Sequence, residues 1–136
     1  MLEIKKMTAA GMGIGTMRIL VIDDNKEITD MLSLYLESLD NYECKVVNDG
    51  NEGLQKIKFE NFDLIILDLA MPGFSGIDIL NSLKSDNVLS KKNIIVLTAS
   101  ALNDDETEGF IRDGVKAVIK KPISIDDLTN AIQRTS

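Results

Sequence analysis

The 136-residue chain contains no histidine. That absence removes Ser-His-Asp and Cys-His nucleophilic machinery, histidine-ligated zinc, and any phosphohistidine formed within the chain. Tryptophan is also missing and aromatic residues make up only 4% of the sequence, so a core must be assembled from Ile, Leu and Val. The single cysteine, Cys44, excludes an intrachain disulfide and fits a reducing compartment. Its place in the strand-like run 42–47 predicts a small core residue. Basic residues are in deficit: 15 Lys and Arg stand against 22 Asp and Glu, for a net charge of −7. Such a balance argues against direct contact with nucleic acid or an anionic membrane surface. No apolar run reaches membrane-spanning length, and neither repeats nor low-complexity tracts occur. Whatever chemistry the chain performs rests on carboxylates, hydroxyls, lysine and a hard metal ion.

What is present is regular from Met17 onward. Residues 1–16 carry a Lys pair and three glycines. They faintly resemble a secretory leader, but the glycines interrupt its apolar part; nor are they a dinucleotide fingerprint, because the glycines precede a strand instead of following one. This segment is expected to be a flexible extension, natural or added, with Met17 a plausible start of a domain spanning 17–136. The run Arg18–Ile22 predicts a buried strand ending in Asp23-Asp24, and Ile28, Met31, Leu32, Tyr35, Leu36 and Leu39 mark a helix by their three-and-four spacing. A second strand through Lys45–Val47 turns at Asn48-Asp49-Gly50 into a helix bearing Leu54 and Ile57. Asn93–Leu97 forms a fourth strand running into Thr98-Ala99-Ser100. Asn103 predicts an N-cap with Asp104, Asp105 and Glu106 in the first turn. Val115–Ile119 is the fifth strand, and Ser124 caps a last helix.

The third strand organises the rest. In Phe62–Gly76, Leu64-Ile65-Ile66-Leu67 shows no alternation, which is the pattern of a strand buried on both faces. Asp68 then ends it, Met71-Pro72-Gly73 turns the chain, and Ile77, Ile79, Leu80 and Leu83 mark a helix over 76–84. Five strands alternating with five helices imply an α/β, flavodoxin-like three-layer sandwich, with a parallel sheet in the order 2-1-3-4-5. That order places the ends of strands 1 and 3 side by side, ~5 Å apart. Two carboxylates at that distance repel by ~3 kcal/mol at an effective dielectric near 20. Capping or turn roles would explain Asp23, Asp24 or Asp68 singly; gathered together, they need protonation or a cation. Oxygen ligands without His or Cys suit Mg²⁺, or Mn²⁺ in its place. Lys121 and Thr98, at the ends of strands 5 and 4, add an ammonium and a hydroxyl. The set would stabilise a phosphoryl group during in-line transfer.

With ILVIDDN, IILDLAMPGFSG, IIVLTAS and IKKPIS in this order, residues 17–136 resemble a response-regulator receiver domain of the stand-alone, chemotaxis type. The resemblance implies Asp68 as phosphoryl acceptor and Asp23 and Asp24 as the acidic pair that helps hold Mg²⁺. It also implies Ala70 as a ligand through its backbone carbonyl, Thr98 as the switch hydroxyl and Lys121 as the catalytic lysine, with Lys120 a solvated neighbour. A cis Lys121–Pro122 bond is expected by the same analogy. Implied partners are a sensor histidine kinase or phosphotransfer protein and an output protein in trans, all in the cytoplasm. The fourth and fifth helices offer the docking or homodimer face. The chain departs from the family at Val118, where many members carry Tyr or Phe. Ala70 and Ser100 are both small, which predicts easy water access and a short phosphorylated lifetime.

Two rivals weigh less. An Asp-nucleophile phosphatase wants a second acid two residues after the nucleophile, and Ala70 is not one. A phosphorylation-independent docking module would not need the complete residue set.

Overall fold

A computed structural model describes residues 16–99 and 102–135. The five strands are β1 (Met17–Ile22), β2 (Tyr42–Val47), β3 (Leu64–Asp68), β4 (Ile94–Thr98) and β5 (Ala117–Lys120). They pair in parallel in the order β2-β1-β3-β4-β5. The helices are α1 (Lys26–Glu37), α2 (Gly50–Phe59), α3 (Gly76–Ser85), α4 (Asp104–Asp113) and α5 (Ile125–Thr135), with a short 3₁₀ turn at Leu89–Lys91 that the sequence pattern did not predict. None of the described helices is long and apolar enough to cross a membrane.

Successive residues of each central strand face opposite layers. Leu20, Ile22, Ile65, Leu67, Ile94 and Val96 pack with Leu54 and Ile57 of α2 and with Ile79, Leu80 and Leu83 of α3. Ile19, Val21, Leu64, Ile66, Ile95 and Leu97 pack with Leu32 and Leu36 of α1 and with Leu128, Ala131 and Ile132 of α5. Both faces are covered, so the strands carry no polar alternation. The register pairs Ile22 with Val47 and Leu67, Asp68 with Leu97, and Thr98 with Lys120. All the strand ends that bear polar groups therefore stand level at one edge.

Helix starts are fixed by side chains at that same edge. Asn25 accepts from the N–H groups of Glu27 and Ile28, and Asp49 from that of Glu52. Ser75 with Asp78, and Asn103 with Glu106, form complete capping boxes. The Ser124 hydroxyl accepts from the Asp127 N–H, as expected of a cap.

Several sequence expectations are corrected. β5 begins at Ala117, not Val115, because the Val115 N–H closes the end of α4 on the Phe110 carbonyl instead of joining the ladder. Cys44 is only half-buried, since β2 is an edge strand with no neighbour outside it. Met31 and Ile77, placed on core faces by spacing, are exposed, and Leu39 lies beyond the end of α1. The expectations for the extension (residues 1–15 of it) and for Ser100 lie outside the described residues.

The β3–α3 connection is tight. Gly76 opens α3 beneath the end of β3, and a Cβ there would collide with the Asp68 carbonyl oxygen and lie 2.8 Å from Leu69 Cα. Gly109, within α4, has only the end of the Arg112 side chain nearby, at 3.7 Å. Gly76→Ala is expected to destabilise the fold by about 2–3 kcal/mol, whereas Gly109→Ala stabilises by about 0.5–1 kcal/mol. Urea unfolding of the two variants checks the contrast.

Candidate functional site

β1 delivers Asp23 and Asp24 to the level edge of the sheet, and β3 delivers Asp68 beside them. Carboxylate oxygens of the three lie within 4.8 Å of one another. Asp23 is fully buried and Asp68 is 2% exposed, while Asp24 faces solvent. The last residue before the cis Pro122, Lys121, follows β5 and reaches across the edge. Its Nζ stands 2.9 Å from Asp23 Oδ2 and 3.3 Å from Asp68 Oδ1. Lys120 points away and is exposed. Thr98, at the end of β4, is buried, and its carbonyl accepts from the Lys121 N–H at 2.8 Å. Ala70 sits at the open rim, its N–H 3.4 Å from Asp68 Oδ1. Asp23, Asp24, Asp68 and Lys121 thus meet in one corner of the molecule, with Thr98 at the end of the next strand and Ala70 two residues past Asp68.

The electrostatics of that corner are unbalanced. Burial, with the neighbouring Asp23 charge adding to it, pushes the Asp68 carboxyl up to about 6 despite the opposing pull of Lys121. Burial works against the charged Lys121 ammonium, but its close contact with and attraction to Asp23 and Asp68 outweigh this and raise its pKa. One ammonium serves two buried carboxylates, with a third close by.

A divalent ion fits this set. The donors are all oxygens, which suits a hard cation. Asp23 Oδ1 accepts from the Asn25 N–H at 2.9 Å. Asp23 Oδ2 is buried and makes no hydrogen bond, its contact with Lys121 being close but not aligned as one. An ion-paired oxygen without an aligned donor keeps a lone pair that a cation could take. Exposed Asp24 leaves one side open to water, as Mg²⁺ requires.

Two further groups at the site were not legible as such. Asn48, seen in the sequence only as part of a turn, donates from Nδ2 to the Asp23 carbonyl and to the Thr29 hydroxyl. Thr29 is fully buried, although its spacing on α1 carries no apolar signal.

Comparison with known proteins places this geometry. The family model for the response regulator receiver domain matches residues 19–133. The chain belongs to the response-regulator receiver family. Among curated relatives of the receiver, the transcriptional regulatory protein YclJ of Bacillus subtilis is 34% identical over 108 residues, covering 79% of this chain and 45% of that protein. ResD of the same organism is 36% identical over 107 residues, covering 79% and 42%. The receiver therefore spans less than half the length of these relatives. Among solved structures, the receiver domain of Francisella response regulator 1452 aligns with a TM-score of 0.76 at 29% identity, over 88% of this chain and 99% of that one. Thermotoga maritima TrrA, solved with Mg²⁺ and a beryllium fluoride, aligns with a TM-score of 0.75 at 28% identity, over 88% and 99%. The acidic cluster at the strand ends is the phosphoacceptor site of a receiver domain.

The raised Asp68 carboxyl has a consequence for stability. Its folded-state value of about 6 lies above the ordinary 3.8, so the folded protein prefers the protonated form. That preference is complete below the unfolded value and is lost as pH rises through about 6. In EDTA, Asp68→Asn is expected to stabilise the protein by about 1–3 kcal/mol at pH 7.5. The gain opens between pH 4 and 6 and vanishes below it. Mg²⁺ narrows the gain, because it binds the wild-type cluster more tightly. Urea unfolding across pH, with and without the metal, measures all three effects.

Proposed function

We propose that Asp68 is the phosphoryl acceptor of a signalling switch that draws its phosphoryl group from a phosphohistidine on a partner kinase. The observation that carries this reading is the single corner in which buried Asp68 and Asp23 meet Lys121 and exposed Asp24. One Asp68 oxygen attacks phosphorus in line, the P–N bond breaks, and the imidazole leaves with the electron pair and takes up a proton. Asp23, Asp24, Asp68 and the Ala70 carbonyl would hold Mg²⁺, which supplies charge neutralisation at the phosphoryl oxygens when bound. Lys121, already placed between two carboxylates, turns its ammonium to the new phosphoryl oxygens. The Thr98 hydroxyl, one strand over, donates to the same group. Hydrolysis by water breaks the P–O bond, returns the carboxylate and releases phosphate. The chain thus acts on its own aspartyl phosphate and turns over no separate substrate.

The new charge shifts the population of the β4–α4 surface through these two contacts. Output passes through the α4 and α5 face, to a partner in trans or to a second copy. A cytoplasmic setting suits a phosphohistidine donor and the unpaired Cys44.

Intact-mass analysis after incubation with acetyl phosphate tests the assignment. A single phosphoryl adduct is expected with Mg²⁺, none with EDTA, and none in Asp68→Ala. No adduct, joined to no Mg²⁺-dependent change with beryllofluoride, would favour a docking module that works without phosphate. The small, exposed Ala70 leaves the acyl phosphate open to water. Ala70→Arg is therefore expected to lengthen the phosphorylated lifetime severalfold, read from decay of the adduct after desalting.

A further inference from the structure

Asp23 lies one residue past the end of β1, where the ladder with β2 should already have stopped. Its N–H still donates to the Val47 carbonyl at 3.1 Å, which continues the parallel register of Ile22 with Val47. The next rung of a parallel ladder would be a main-chain N–H donating to the Asp23 carbonyl. Here the Asn48 side chain supplies it, Nδ2 standing 2.8 Å from Asp23 O. The second proton of the same amide goes to Thr29 Oγ1 at 3.0 Å. The Thr29 hydroxyl in turn donates to the Lys26 carbonyl at 3.1 Å. Every proton in the chain Lys26–Thr29–Asn48–Asp23 has one acceptor, and this fixes which end of the Asn48 amide faces Asp23.

We infer that Asn48, held by the buried Thr29, is a positioning residue for the Asp23–Asp24 pair. This rests on the reading of the acidic cluster as the divalent-ion site. The Asp23 peptide is clamped on both sides, by Val47 at its N–H and by Asn48 at its carbonyl. Its carboxylate is clamped as well, Oδ1 by the Asn25 N–H. Oδ2 is then held against the Lys121 ammonium, 2.9 Å away, without an aligned hydrogen bond. Asp24 is attached directly to the carbonyl that Asn48 holds, so the same clamp sets where the exposed carboxylate projects. Mg²⁺ demands near-ideal octahedral geometry and tolerates loose ligands poorly. A donor that holds the backbone of two adjacent ligands therefore acts on affinity as an outer-sphere partner does.

The test is Mn²⁺ binding by the full chain, followed through the electron paramagnetic resonance signal of the free ion, with Mg²⁺ in competition. Asn48→Ala is expected to weaken both ions on the order of tenfold. Thr29→Val, which keeps the shape but removes the acceptor that orients the amide, weakens them about threefold. Asn51→Ala, the same kind of truncation at an exposed position in the first turn of α2, leaves binding unchanged. Urea unfolding in EDTA is run beside each, because a merely structural role would lower stability and leave metal affinity where it was. Affinities for Asn48→Ala and Thr29→Val within twofold of wild type overturn the assignment. If Asn48→Ala fails to fold, Thr29→Val decides alone. Absence of metal binding in the wild type, or unaltered binding in Asp23→Asn, overturns the reading of the cluster itself and this assignment with it. The two failures are thereby distinguishable.

Discussion

Like charges at close quarters in a dry corner are the constraint on which the rest of this structure depends. Three carboxylates with oxygens within 4.8 Å of each other are held at the end of a hydrophobic sheet, two of them buried. Nothing in the packing demands them, since a β-strand can end on almost any residue. Their self-repulsion is met by Lys121 from one side and, at Asp68, by retention of a proton to unusually high pH. The fold thus stores a deficit of positive charge at one point. A divalent cation would relieve it, and on the proposed function a phosphoryl group arriving with that cation would re-engage Lys121. Binding and switching draw on the same imbalance.

The parallel topology makes the gathering possible. Each strand enters the sheet from the same side, so every strand end, and every helix start, falls at one edge. The two apolar layers hold the register that keeps those ends level: Ile22 against Leu67, Asp68 against Leu97, and Thr98 against Lys120. A slip of one residue in β3 would exchange the layers faced by Ile65 and Ile66 and carry Asp68 out of line with Asp23. Core packing is therefore also what sets the distance between site groups.

Much of this was legible before any coordinates. Unbroken apolar runs such as Leu64–Leu67 marked buried strands, the alternation with helices marked the topology, and together they predicted that Asp23, Asp24, Asp68, Thr98 and Lys121 converge. The failures share one cause. Local spacing reports the face of a helix but not whether anything covers it, so Met31 and Ile77 looked like core and are exposed. Edge position is a property of the whole sheet, which is why Cys44 proved half-buried. Asn48 and Thr29 were missed because their role lies in a bond between a β2–α2 turn and a helix nineteen residues earlier. Polar side chains carry no periodicity that would announce such a partner.

The departure at Val118 bears on how the site is read out. Without an aromatic ring at that position, any change at Thr98 would have to travel through other packing. Val118 is only partly buried and packs on the same apolar layer as Leu102 and Phe110. α4 itself contributes no buried residue, whereas α2 and α3 each bury four and α1 and α5 three. A helix attached through partly buried Phe110 and its own C-terminal turn forfeits little buried area when it shifts. On the proposed switch, a small rearrangement at the strand end, worth no more than one or two charge-assisted hydrogen bonds, would then be enough to reposition it. α4 is therefore the element that would lose least packing by moving, and the charge gained at the strand ends would be set against a small cost there.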